Sequence, residues 1–123
     1  MNRLPNNLIV SQASIPGTHD SGTFDCSWYQ ACDSSQCQSW NIYNQLRAGI
    51  RYLDLRIDIR SDYLAIGHGP YQFMALHDAL RDVARFLREN PSEFVILAYQ
   101  VNKGDGDPSP RIIQEMRDYG VSA

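Results

Sequence analysis

Apolar positions recur along this chain with two different periods. Over residues 50–59, Arg51, Leu53, Leu55, Ile57 and Ile59 fall on one side, and Ile50, Tyr52, Asp54, Arg56 and Asp58 on the other. That alternation predicts a β-strand whose apolar face packs on helices and whose other face, with Asp54, Arg56 and Asp58, is expected to lie in water. Over residues 76–88, Leu76, Ala79, Leu80, Val83, Ala84 and Leu87 recur at helical spacing, predicting an amphipathic helix that Asn90-Pro91 ends. Residues 93–101 are almost continuously apolar, the pattern of a strand buried on both faces. Residues 8–15 predict another strand, closed by the turn signal Pro16-Gly17. Ile42 and Leu46 mark a short helix with Gly49 at its end, and residues 63–67 a short strand entering His68-Gly69-Pro70. A Gly/Asp/Pro loop over 104–110 leads to a last helix reaching residue 119. Strands and helices alternate, so the expected fold is α/β with a parallel sheet of about four strands.

The chain has 123 residues, the length of one domain, and carries no internal repeat. Its 11 basic and 14 acidic residues give a net charge of −3, which argues against a nucleic-acid partner. Such partners are held chiefly by Lys and Arg neutralising phosphates. The balance still permits a compact cationic pocket for a single phosphate. No run approaches the roughly 18 apolar residues of a membrane-spanning helix, and Met1-Asn2-Arg3-Leu4-Pro5 lacks the apolar stretch of a signal peptide. The polar segment 18–38 is expected to be a long surface loop; it holds Cys26, Cys32 and Cys37. One disulfide and three free thiols are both open readings of that odd count.

Three predicted strands end in ionisable groups: Thr18-His19-Asp20-Ser21, Asp54-Leu55-Arg56 and Gly67-His68-Gly69. Groups at the carboxyl ends of parallel strands converge on one rim. Taken singly, each has a plainer reading, as a turn residue or a same-face ion pair. His77, near the start of the amphipathic helix, is expected to be an exposed helix residue. Placement at successive strand ends is what raises the others. Two imidazoles flanking a phosphate can divide the acid and base work of diester cleavage, because a histidine pKa near 6.5 makes both forms available at neutral pH. An arginine between them can hold the phosphate and neutralise charge growing on its oxygens.

The stretch Ser14-Ile15-Pro16-Gly17-Thr18-His19-Asp20-Ser21-Gly22-Thr23-Phe24 resembles the first-histidine motif of the phosphatidylinositol-specific phospholipase C X-domain family. Residues 46–56 (LRAGIRYLDLR) resemble its second strand, His68-Gly69-Pro70 its second-histidine motif, and Asn90-Pro91-Ser92-Glu93 with the strand after it a fourth signature. The four stand in the family's order at compatible spacing. The resemblance implies a distorted TIM barrel, of which this chain matches the first half, a parallel (β/α) half-barrel of about four strands.

The same resemblance implies roles. His19 is the expected general base that deprotonates the inositol 2-hydroxyl, and His68 the general acid that protonates the departing diacylglycerol oxygen. Asp20 is the carboxylate that assists the acid, Arg56 the phosphate-binding group that replaces calcium, and Asp54 a supporting carboxylate on the same strand. Arg56 stands where metal-dependent members have an acidic ligand, so no metal and no cofactor are expected. Calcium held by Asp54 and Asp58 is the rival reading. The implied partners are phosphatidylinositol or a related phospholipid and a transient membrane surface; for Tyr71 and Phe73, lipid contact and core or rim packing are both open readings. Bacterial members of the family are typically secreted.

Two departures qualify the resemblance. Tyr99-Gln100 occupies the place of a lysine in bacterial members, and the later strands, with a carboxylate that orients the first histidine, are not in this sequence. The expectation is therefore weak activity, with self-association through open sheet edges. The rival functions are an inactive interaction module and a phosphodiesterase acting on glycerophosphodiesters or sphingomyelin.

Overall fold

A computed structural model describes residues 14–22 and 41–122. The three cysteines and most of the first predicted strand lie outside the described residues. Within them the elements are β1 (Gly17–Thr18), α1 (Ile42–Arg47), β2 (Tyr52–Ile59), β3 (Leu64–His68), β4 (Tyr71–Ala75), α2 (Leu76–Glu89), β5 (Ile96–Lys103) and α3 (Ser109–Asp118). Residues 14–16 carry no strand, and β1 begins where the sequence predicted a turn.

β2 is the centre of the sheet. β5 runs parallel along one of its edges, from Tyr52 opposite Ile96 to Asp58 opposite Lys103. Two strands share the other edge. β1 is parallel to the start of β2, pairing Gly17 with Tyr52 and Thr18 with Leu53. β3 is antiparallel to its end, pairing Ile57 with Ile66 and Ile59 with Leu64. β4 continues antiparallel to β3. The sheet is thus mixed, which corrects the expectation of parallel strands throughout. A parallel return needs a crossover of a dozen or more residues. Only the turn closed by Arg60 N–H donating to Tyr63 O at 3.1 Å separates β2 from β3. β4 was not foreseen because residues 71–75 run into α2 with no breaker between them. Its entry is a two-residue hairpin in which Gly69 takes φ +57°, the left-handed value such turns favour at their first position.

The apolar face of β2 meets the helices as the alternation requires. Leu53, Leu55 and Ile57 are buried, packed with Ile42 and Leu46 of α1, Leu80 and Val83 of α2, and Ile112 of α3. Each such side chain contributes about 1.5–3 kcal/mol by leaving water. α1 is capped by Asn41, whose side chain accepts from Asn44 N–H at 2.8 Å, and Gly49 follows its last turn with φ +109°.

Two expectations about burial reverse. β5 was expected to be covered on both faces, yet Tyr99 and Val101 are 40% and 43% exposed. Among the described residues β5 pairs with β2 alone, so it is an edge strand. The charged face of β2 was expected to lie in water, yet Asp58 is fully buried and Asp54 and Arg56 are half-buried.

Candidate active site

Between the stretches paired with β1 and β3, residues 54–56 of β2 have no strand partner on that edge among the described residues. The turn 19–22 fills this notch. Ser21 N–H donates to Asp54 O at 2.8 Å, and Asp54 N–H donates to Ser21 Oγ at 3.0 Å. Gln45 of α1, itself buried, donates its side-chain N–H to Ser21 O at 2.9 Å and accepts from Thr18 Oγ1 at 2.7 Å. A Cβ on Gly22 would lie 2.7 Å from Ile66 Cγ2, so the turn rests directly on β3. Asp20 takes φ +45°, a left-handed conformation that costs a non-glycine residue about 1–2 kcal/mol. The surrounding hydrogen bonds hold it there, and strain of this kind concentrates at functional sites.

This turn sets its side chains against β2. His19 lies between two carboxylates, with Nε2 3.0 Å from Asp20 Oδ2 and Nδ1 3.2 Å from Asp54 Oδ2. Arg56 reaches the same pair, with Nε 3.3 Å from Asp20 Oδ1 and Nη2 3.1 Å from Asp54 Oδ2. Its Nη1 donates to Gln100 Oε1 at 2.5 Å. His68 arrives from the far side because β3 runs back along β2. Its Nδ1 is 3.9 Å from Asp20 Oδ2. The five residues singled out by sequence are therefore brought together, though by a parallel strand, a central strand and an antiparallel hairpin rather than by three parallel strand ends. Asp20 is the shared contact and is only 3% exposed, whereas His19 is 65% exposed. A cavity of about 400 Å³ opens over His19, Tyr52, Asp54, Arg56 and Gln100.

Charge is strongly coupled here. Burial raises the Asp54 carboxyl, but hydrogen bonds from Arg56, the Asp20 backbone N–H and His19 outweigh it and hold Asp54 below its ordinary value. Arg56 is held above its ordinary value, first by its hydrogen bond to Asp54 and further by the charges of Asp54 and Asp20, against burial.

His19, Asp20 and Asp54 bring possible metal-ligand atoms within 4.8 Å of one another. Calcium takes six to eight oxygens, and both carboxylates here already face a guanidinium. The donor set fits an arginine-filled site better than a calcium site. Asp58 does not join this group; its Oδ1 accepts from Asn102 Nδ2 at 2.7 Å. Tyr71 is half-buried and Phe73 buried, so neither is a fully exposed lipid contact. His77 stacks on Tyr119 at 6.2 Å, away from the site.

Sequence reading missed Gln45, Ser21 as a staple, and Asn102. Asn102 had a signal, a polar residue directly after the carboxyl end of the apolar run 93–101. Gln45 had none, since its role depends on α1 lying beside the turn.

A family model described as phosphatidylinositol-specific phospholipase C, X domain, matches residues 13–113. The 1-phosphatidylinositol phosphodiesterase of Listeria monocytogenes is 35% identical over 119 residues, covering 94% of this chain and 37% of the relative. A crystal structure of the phosphatidylinositol-specific phospholipase C of Staphylococcus aureus superposes with a TM-score of 0.78 at 21% identity, covering 94% of this chain and 40% of that one. Another structure of the S. aureus enzyme, from work on modulation of its membrane binding, superposes at 0.63 with 24% identity, covering 83% of this chain and 36% of that one. The chain thus spans well under half the length of these proteins. The α/β half-barrel expected from sequence is the fold observed, with the β3–β4 hairpin added to its parallel strands.

Proposed function

The chain belongs to the phosphatidylinositol-specific phospholipase C X-domain family, and from that premise we propose that it cleaves phosphatidylinositol by paired histidine chemistry without a metal. The observation that carries the reading is Asp20, a buried carboxylate that touches His19, Arg56 and His68 at once.

In this reading Arg56 holds the diester phosphate, and the Asp20 and Asp54 carboxylates fix the guanidinium in place. His19 takes the proton of the inositol 2-hydroxyl, whose oxygen attacks phosphorus. The bond from phosphorus to the diacylglycerol oxygen breaks, and His68 gives its proton to that oxygen. The products are diacylglycerol and a cyclic inositol phosphate. Water opens the cyclic ester with the two histidines in exchanged roles, which restores their starting protonation. Asp54 on His19 Nδ1 favours the tautomer protonated there, and Nε2, which lies 3.0 Å from Asp20 Oδ2, turns from that carboxylate to take the proton. This supplies from β2 an orienting carboxylate that the sequence reading placed on a later strand.

A phospholipid headgroup is the ligand of this site, met at a membrane surface. The exposed edge of β5, with Tyr99 and Val101 on it, supports self-association of this chain. The deciding experiment is turnover of phosphatidylinositol vesicles with and without EDTA, alongside sedimentation of the free chain. Diacylglycerol release that survives the chelator is expected. A strict calcium requirement would overturn the metal-free reading, and absence of turnover with intact folding would overturn the catalytic one.

A further inference from the structure

We propose that Asn102 is a positioning residue that holds the hairpin carrying His68 over the site; the proposal rests on the reading of His68 as proton donor. β3 and β5 lie on opposite edges of β2. The β3–β4 register shifts between Ile66 and Gly67, and a bulge of this kind bends a strand and re-aims the side chains beyond it. The hairpin tip then lies on Asp58. A Cβ added to Gly67 would collide with Asp58 Oδ2 and come within 2.8 Å of Tyr71 O, so only glycine admits this approach.

Asn102 reaches across β2 to fasten the tip. Its Nδ2 donates to Gly69 O at 3.1 Å and to Asp58 Oδ1 at 2.7 Å, and its Oδ1 accepts from Gly69 N–H at 3.3 Å. Both backbone groups of the residue after His68 are thereby tied to the opposite strand. Asp58 is fully buried, and Arg60 Nη2 lies 3.9 Å from its Oδ2. A buried carboxylate is costly, and apolar packing would serve a core better. Here it orients the amide that grips the tip. His68 sits 3.9 Å from Asp20, so a small swing of the tip decides whether the two act together.

A donor of this kind matters in proportion to how poor the leaving group is. Asn102→Ala should lower kcat on phosphatidylinositol by about 10- to 100-fold, the scale of a misplaced catalytic group, with KM little changed. An inositol phosphodiester with a nitrophenol leaving group should lose far less, and His68→Ala should show the same leaving-group pattern more strongly. The pair Asp58→Asn with Asn102→Asp keeps one hydrogen bond between the two positions and should recover part of the loss. By NMR, Asn102→Ala should deprotect the Gly69 amide and loosen the His68 ring while leaving the His19 ring unchanged. An equal loss on both substrates in His68→Ala would sink the proton-donor reading, and the NMR result then decides the clamp by itself. Unchanged Gly69 and His68 signals in Asn102→Ala, or equal loosening of His19, would overturn the clamp.

Discussion

β2 and β5 are parallel neighbours of equal length, 8 residues each, and their surroundings invert what their compositions suggest. β2 carries three charged residues, yet four of its eight residues are buried and only Tyr52 is exposed. β5 is rich in apolar residues, yet much of it is exposed. The difference lies in neighbours. β2 is flanked by strands on both edges and covered by helices on one face, and its Asp54 and Arg56 answer one another and the turn at 19–22. β5 has a partner on one edge among the described residues. Burial is thus a property of position in the sheet: Asp54 and Arg56 are admitted as a pair, and Asp58 through the Asn102 amide that donates to its Oδ1.

The largest effect expected from this contrast is chemical. His19→Ala or His68→Ala, on turns anchored to β2, should each lower kcat by about 10²–10⁴ in the vesicle assay. Gln100→Lys on β5 should instead improve binding of the diester by adding a second cation. It should also cost slight stability, since it places a cation against Arg56 in place of the amide that now accepts from it. A histidine variant with full activity would move the chemistry away from β2.

Next is the junction where the two strands begin. Arg51 Nε and Glu93 Oε2 are 3.1 Å apart with both side chains nearly buried. Glu93→Gln should cost about 3 kcal/mol in urea unfolding, because it strips a buried charge of its partner. Burial raises the Glu93 carboxyl, but opposing interactions, the hydrogen bond from Arg51 foremost among them, outweigh this and hold it below its ordinary 4.5. A carboxyl depressed on folding contributes stability above its unfolded pKa and loses it as pH falls through the folded one. Stability should therefore fall below about pH 4.5, and Glu93→Gln should flatten that fall.

Packing separates the strands further. Leu55→Ala should cost about 2–5 kcal/mol, while Val101→Ala should stay within about 0.5 kcal/mol. Equal costs would mean that β5 is covered in solution, which sedimentation would reveal as association. The smallest shift is in titration. By carbon NMR, the Asp54 midpoint in Arg56→Gln should rise toward the ordinary aspartate value, because the first of the interactions that hold it down is gone.

Much of this fold was legible because it is periodic. The alternation over β2 and the helical spacing over α2 record which side faces the core, and the structure places those sides there. The reversal of β3 was hidden, because Arg60-Ser61-Asp62-Tyr63 carries no glycine or proline to mark a tight turn and only its shortness forbids a parallel return. β4 was hidden because no glycine or proline marks its junction with α2. The five candidate residues were readable as motifs. Their convergence was inferred from parallel strand ends, yet it arises from a turn lodged in a notch and a hairpin folded back.

What the sequence determined by itself is local: which residues alternate, where Gly69-Pro70 permits a tight reversal, and which side chains can take, give or neutralise a proton. These follow from backbone sterics and side-chain chemistry, which need no distant partner. Tertiary structure alone decided that Asp54, Arg56 and Asp58 leave water, that apolar β5 forms an edge, and that Asn102 reaches Gly69 across β2. Such facts depend on which strands flank which, and an amide or carboxylate acquires its role only when folding sets a partner within about 3 Å of it.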